Sequence, residues 1–180
     1  MLLRFTKSNA IAHILLVPLV AVLLWLQTFL KVAAGEVVQY GTFHMPVFNT
    51  FVNYFRQGGY HIAAMVVALA LLVIQAFLIV NIGNKRQLFP ERTFMPAYFF
   101  LLISSMHIDL QKLHGALLTN IIILYAIDRL FSAIRYPSYY RHTFWASLLI
   151  GASAIIYIKA GVFIVVVWLT IILLKRFSPR

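Results

Sequence analysis

Apolar runs separated by short polar breaks cover most of the chain, and their lengths set the first expectation. Runs at 11–30, 60–82, 94–107, 113–131, 142–158 and 160–174 read as helices in hydrocarbon, since about 20 apolar residues cross a core of about 30 Å. The first run contains Pro18, where a kink is expected; bilayer helices tolerate such a proline when neighbours re-satisfy the backbone. Gln75 is the one strongly polar residue inside the second run. The third run has 14 residues and at 1.5 Å per residue covers only ~21 Å. It is therefore expected either in a thinned region or packed among other helices.

A different pattern fills the connection at 31–59. From Pro46, the apolar residues Val47, Phe48, Phe51, Val52 and Phe55 recur at helical spacing, with Asn49, Asn53 and Arg56 elsewhere on the wheel. This predicts an amphipathic helix lying at the membrane surface, ended by Gly58-Gly59.

The last apolar stretch poses a choice. Lys159 is the only charged residue between 143 and 174. One unbroken helix from His142 to Leu174 would be about 50 Å long and would leave the ammonium in hydrocarbon, at roughly 2.5–3.5 kcal/mol on insertion scales. A hairpin turning at Lys-Ala-Gly (159–161) gives two short spans and lets the lysine snorkel. Charge counting favours the hairpin. With six spans and both termini cytoplasmic, eleven of the 15 basic residues fall inside, and Lys31, Arg56, Lys112 and Lys159 fall outside. The expected fold is an all-α, polytopic transmembrane bundle of six spans, with the interfacial helix between spans one and two.

Composition agrees with this. The chain of 180 residues is 63% hydrophobic and 11% charged, with net charge +11 and mean hydropathy +0.92, against about 25% charged residues in a soluble domain. The basic residues sit mostly between apolar runs, so they read as anchors at anionic lipid and no nucleic-acid partner is expected. The absence of cysteine excludes disulfides, thiolate metal sites and a cysteine nucleophile. Arg4 and Lys7 precede the first run as in a signal peptide, but the run is too long and lacks a clear cleavage site, so a retained span is expected.

Candidate chemistry is sparse. The four acids are Glu36, Glu91, Asp109 and Asp128. Asp128-Arg129 reads as a charge pair at a helix end, with a proton relay as the sharper alternative. Glu91-Arg92 reads as a solvated pair. The six histidines include no i, i+4 pair and no HExxH, so neither a metal nor a cofactor is expected. Tyr and Trp residues near run ends suit an aromatic belt; Tyr139, Tyr140 and Arg141 also suit a polyprenyl-phosphate headgroup. With His44 and Arg56 they are the candidate lipid or ligand contacts. Ser147, Gly151 and Ser153 would allow close helix packing.

Several stretches resemble a multi-pass membrane family of Bacteroidota-type bacteria: "LLRFTKSN" at the N-terminus, Asn81, "RTFMPA" (92–97), Asn120, "LIGASAIIY" (149–157) and "LLKRFSPR". Trp145 stands where that family has an acid and Lys159 where it has proline, and members are longer, so a short form is expected. The resemblance implies a multi-pass protein of the bacterial inner membrane. A looser resemblance is to the membrane module of polyprenyl-phosphate-sugar glycosyltransferases, whose first-loop carboxylate and following surface helix match Glu36 and "HMPVF" (44–48). It implies Glu36 as a general base or metal contact for a sugar acceptor, although the second acid and the soluble domain of those enzymes are missing. The leading expectation is a non-catalytic component of envelope or lipid-linked glycan biogenesis that packs against a membrane partner or another copy of itself. A glycosyltransferase-like enzyme using Glu36 is the alternative. A small transporter comes third, because intramembrane charges are few.

Overall fold

The computed structural model describes residues 10–35, 46–135 and 139–173. Among them, seven α-helices follow in order: α1 (Ala10–Ala33), α2 (Pro46–Gln57), α3 (His61–Lys85), α4 (Met95–Ser104), α5 (Gly115–Arg135), α6 (Tyr139–Ile156) and α7 (Ile164–Leu173). Two 3-10 turns, Ile108–Leu110 and Ile158–Phe163, precede α5 and α7. Three helices are long and apolar enough to cross a membrane, over Ala12–Ala33, His61–Lys85 and Gly115–Ile134.

The centre of the bundle is α3, which touches α1, α2, α4 and α5. Its buried face includes Ala64, Ala68, Leu72, Gln75, Ala76, Val80 and Gly83, which recur every three or four residues apart from the adjacent Gln75 and Ala76. In hydrocarbon no water drives helices together, so small residues that let backbones approach define the interface. The same logic holds where α5 meets α6. Ala126, Leu130 and Ala133 are buried on one helix, and Ala146, Ile150 and Ser153 on the other. Of the three small residues expected to pack, Ser153 does, whereas Gly151 is exposed with open space around its α-carbon. The α1 helix runs continuously through Pro18 and buries His13, Val17, Ala21, Trp25, Thr28 and Val32 along one stripe.

The amphipathic helix forms with the expected start. On α2, Phe48 and Val52 are buried in the same core as Ala64 and Met65, and Phe55 is packed beside them. Val47 is exposed. Gly58 and Gly59 turn the chain from α2 into α3. Gly59 has φ +67°, and a Cβ on Gly58 would lie 2.4 Å from the Tyr60 ring.

The expected third span is reduced to α4, whose 10 residues cover ~15 Å. Its end is held by side chains, since a helix terminus inside a bundle needs internal partners. Trp25 Nε1 donates to Ser105 Oγ at 3.0 Å, and Gln111 Nε2 donates to the Ser105 carbonyl at 2.7 Å. Gln111 also accepts from the Thr28 hydroxyl. At the other end of α4, Tyr98 OH lies 2.8 Å from His13 Nδ1. The sequential contacts 13 to 98 and 25 to 105 make α1 and α4 parallel.

The last apolar stretch folds back. Tyr157 adopts an extended backbone (φ −141°, ψ 101°) and ends α6. Val167 then shares a buried cluster with Ala146 and Ile150. In a straight rod Ile150 and Val167 would stand ~25 Å apart. The turn packs closely: Ala160 is buried, and a Cβ on Gly161 would touch the Ala154 methyl at 3.6 Å.

Candidate functional site

Two polar clusters lie along the contact between α3 and α5, which are parallel. At the C-terminal end of α3, Arg86 and Lys85 converge on Asp128. Lys85 Nζ donates to Asp128 Oδ2 at 3.0 Å and Arg86 Nε to Oδ1 at 2.8 Å. Arg86 Nη2 also donates to the Asp128 carbonyl at 2.7 Å and to Ser132 Oγ at 2.6 Å. The Arg86 side chain is 8% exposed and that of Lys85 56%, so the guanidinium is the buried partner and the ammonium the solvated one. The carboxylate's partners are therefore Lys85 and Arg86, across the bundle, while Arg129 is exposed. The physical reason is helical geometry: residues i and i+1 do not face each other.

The second cluster lies further along α3. Gln75, fully buried, donates through Nε2 to the Leu117 carbonyl at 2.9 Å, and its Oε1 accepts from Asn120 Nδ2 at 2.8 Å. This amide pair borders a cavity of about 220 Å³. Ser104 of α4, His114 ahead of α5, Thr119 of α5, Tyr157 at the end of α6 and Lys159 of the last turn complete its polar lining; Leu72, Phe100 and Phe163 are among its apolar walls. Among the described residues no carboxylate lines it. Gln75 is ten residues from Lys85 and fourteen from His61, or ~15 Å and ~21 Å along the axis. The turn bearing Lys159 thus sits beside the middle of α3. A cation at such depth is costly in hydrocarbon and commonly marks a ligand path.

The candidates named from sequence are scattered relative to this cavity. Glu36 and His44 lie outside the described residues. Arg56 falls on α2 and Tyr139 heads α6; their side chains also lie outside the description. Tyr140 and Arg141 are exposed at the start of α6, away from the cavity lining. Gln75 and Asn120, noted separately in the sequence, are brought together. His114 and Ser104 had no distinguishing local signal, and Lys159 was noted only as a turn residue. Among the described residues no group of three or more His, Asp or Glu side chains is placed to hold a metal ion. Comparison with family models, curated proteins and solved structures finds no match.

Proposed function

We propose that the protein is a non-catalytic membrane component of envelope or lipid-linked glycan biogenesis that holds a membrane amphiphile in the cavity between α3, α4, α5 and the Lys159 turn. The observation that carries this is the composition of that cavity: a carboxamide pair among the polar groups of its lining, beside apolar walls such as Leu72, Phe100 and Phe163. Carboxamides bind through hydrogen bonds and neither ionise nor attack at neutral pH, which suits holding a molecule rather than transforming it. In this reading both termini are cytoplasmic and α2 is on the external side, while α4 and the Lys159 turn end inside the bundle, short of a full crossing.

In a strain lacking the protein, Glu36→Gln should restore envelope integrity as fully as wild type at equal membrane abundance. Asn120→Leu, at equal abundance, should fail. Loss of complementation by Glu36→Gln would transfer the assignment to an external glycosyl-transfer enzyme.

A further inference from the structure

We infer that the protein imposes a step on its bilayer. Around α5, α6 and α7 the hydrocarbon is displaced toward the C-terminal end of α3 by about 10–17 Å relative to α1 and the start of α3, and the membrane surface on the α2 side drops along α2. This goes beyond the amphiphile-holding role and does not depend on it.

The heights of the helices follow from their cross-links. Gln75 meets Leu117 and Asn120, and Arg86 meets Asp128 and Ser132, so α3 and α5 run side by side at a fixed offset. Gly115, the first residue of α5, stands level with about Leu72, which lines the cavity together with Ala116. His61, the first residue of α3, is eleven residues higher, or ~17 Å. At the other end Arg135 lies seven residues past Asp128, or ~10 Å beyond the level of Arg86. The α6 and α7 helices share this displacement, because Ala146, Ile150 and Val167 pack with Ala126 and Leu130 of α5. Levelling such an offset by leaning rods roughly 8–10 Å apart would take a tilt of about 45° or more. Membrane helices tilt by about 0–40°.

Chemistry marks the same offset at both surfaces. Ile134, Phe144 and Trp145 lie beyond the level of Arg86, yet they are exposed and apolar. A flat core ending at Arg86 would leave them in water. Arg135, Tyr140 and Arg141 stand at the far end of this overhang, as an interfacial belt does. On the α2 side, Asp109, Gln111, Lys112 and His114 fill the connection before α5, and Lys159 is level with it. These polar residues stand beside the middle of α3, where a flat core would be driest. The amphipathic α2 joins the two levels. Gly58-Gly59 fix its end at the top of α3, it also touches α6, and Tyr157 at the end of α6 packs against the same cluster as Phe48 and Val52. Its 12 residues cover ~18 Å, and such a helix lies in an interface, here a sloping one.

The overlap of α3 with α5 runs only from Leu72 to Arg86, ~21 Å against the usual ~30 Å. A polar headgroup crossing at this seam meets about a third less hydrocarbon, and the cavity beside Gln75 lies at the headgroup level of the α2 side.

Leu23 of α1 and Ile158 of the last turn are both exposed. They stand at nearly one height, since Trp25 meets Ser105 while Ser104 lines the cavity with Tyr157. The test places a single spin label on the full chain at Leu23→Cys, Ile158→Cys or Ile134→Cys in phosphatidylcholine liposomes. Depth is read from collisions with oxygen and with a water-soluble nickel chelate present on both sides. Leu23 should lie about 15 Å below the surface, the ten residues to Ala33 at helical rise. Ile158 should lie at the headgroups and Ile134 in hydrocarbon. Equal depths at Leu23 and Ile158, or Ile134 in water, would overturn the inference. Infrared dichroism of oriented bilayers separates a step from a lean. A mean helix tilt below about 40° supports the step; a larger one would assign the unequal depths to a leaning bundle in a flat bilayer and overturn it.

Discussion

At the end of α3, Arg86 directs its donors to Asp128 and Ser132, and the group closes on itself. Eleven residues back along the same helix, Gln75 and Asn120 bond each other yet border a cavity with hydrogen-bonding capacity to spare. Both clusters join α3 to α5. The first uses formal charges at the helix end and satisfies them internally. The second uses neutral amides near the helix middle and leaves part of the Asn120 amide facing the cavity. The lesson is that polarity in a hydrocarbon-embedded bundle has two uses, separated by whether the hydrogen-bonding capacity is filled by the protein itself.

Four substitutions would break or sharpen this contrast, each read as unfolding in mild detergent. Asp128→Leu should have the largest effect, about 3 kcal/mol of lost stability, because it leaves the buried Arg86 without its counter-ion. Gln111→Leu should cost about 2 kcal/mol, since it strands the Ser105 carbonyl and the Thr28 hydroxyl at the end of α4. Asn120→Leu should cost only about 1 kcal/mol, the loss of a donor to Gln75, while failing to complement at equal abundance. That split between stability and binding is what distinguishes a site from a clamp. Lys85→Gln should change stability least, by about 0.5 kcal/mol, because its ammonium is largely solvated. A cost for Asn120→Leu equal to that for Asp128→Leu would erase the difference between the two clusters.

The sequence reveals those features whose chemistry is local. The α2 helix is legible because half of it is polar, so the stripe through Phe48 and Val52 stands out against Asn49 and Asn53. The fold-back at Tyr157 is legible because Lys159 makes an unbroken rod expensive. The buried faces of α1 and α3 are not legible from hydropathy, because lipid-facing and protein-facing residues are equally apolar. They are marked instead by small and polar residues such as Ala64, Ala68, His13 and Gln75. The partner of Asp128 and the meeting of Gln75 with Asn120 both depend on the register of two parallel helices. That register is set by packing over the whole contact, and no local pattern encodes it. The shortness of α4 is half-visible: the run at 94–107 is too short to cross, but the turn that Ser105 and Gln111 stabilise depends on Trp25 and Thr28, some eighty residues earlier.

The cavity exists only if the last apolar stretch folds back and brings Lys159 to the middle of α3. The chain contains no cysteine, so Leu148→Cys and Leu169→Cys, both at exposed positions, can carry a pair of spin labels in reconstituted bilayers. Pulsed dipolar spectroscopy should give a separation of roughly 10–20 Å, the spacing of adjacent antiparallel helices plus the label arms. A separation of about 32 Å, the length of 21 residues in one continuous helix, would contradict the fold-back and with it the cavity.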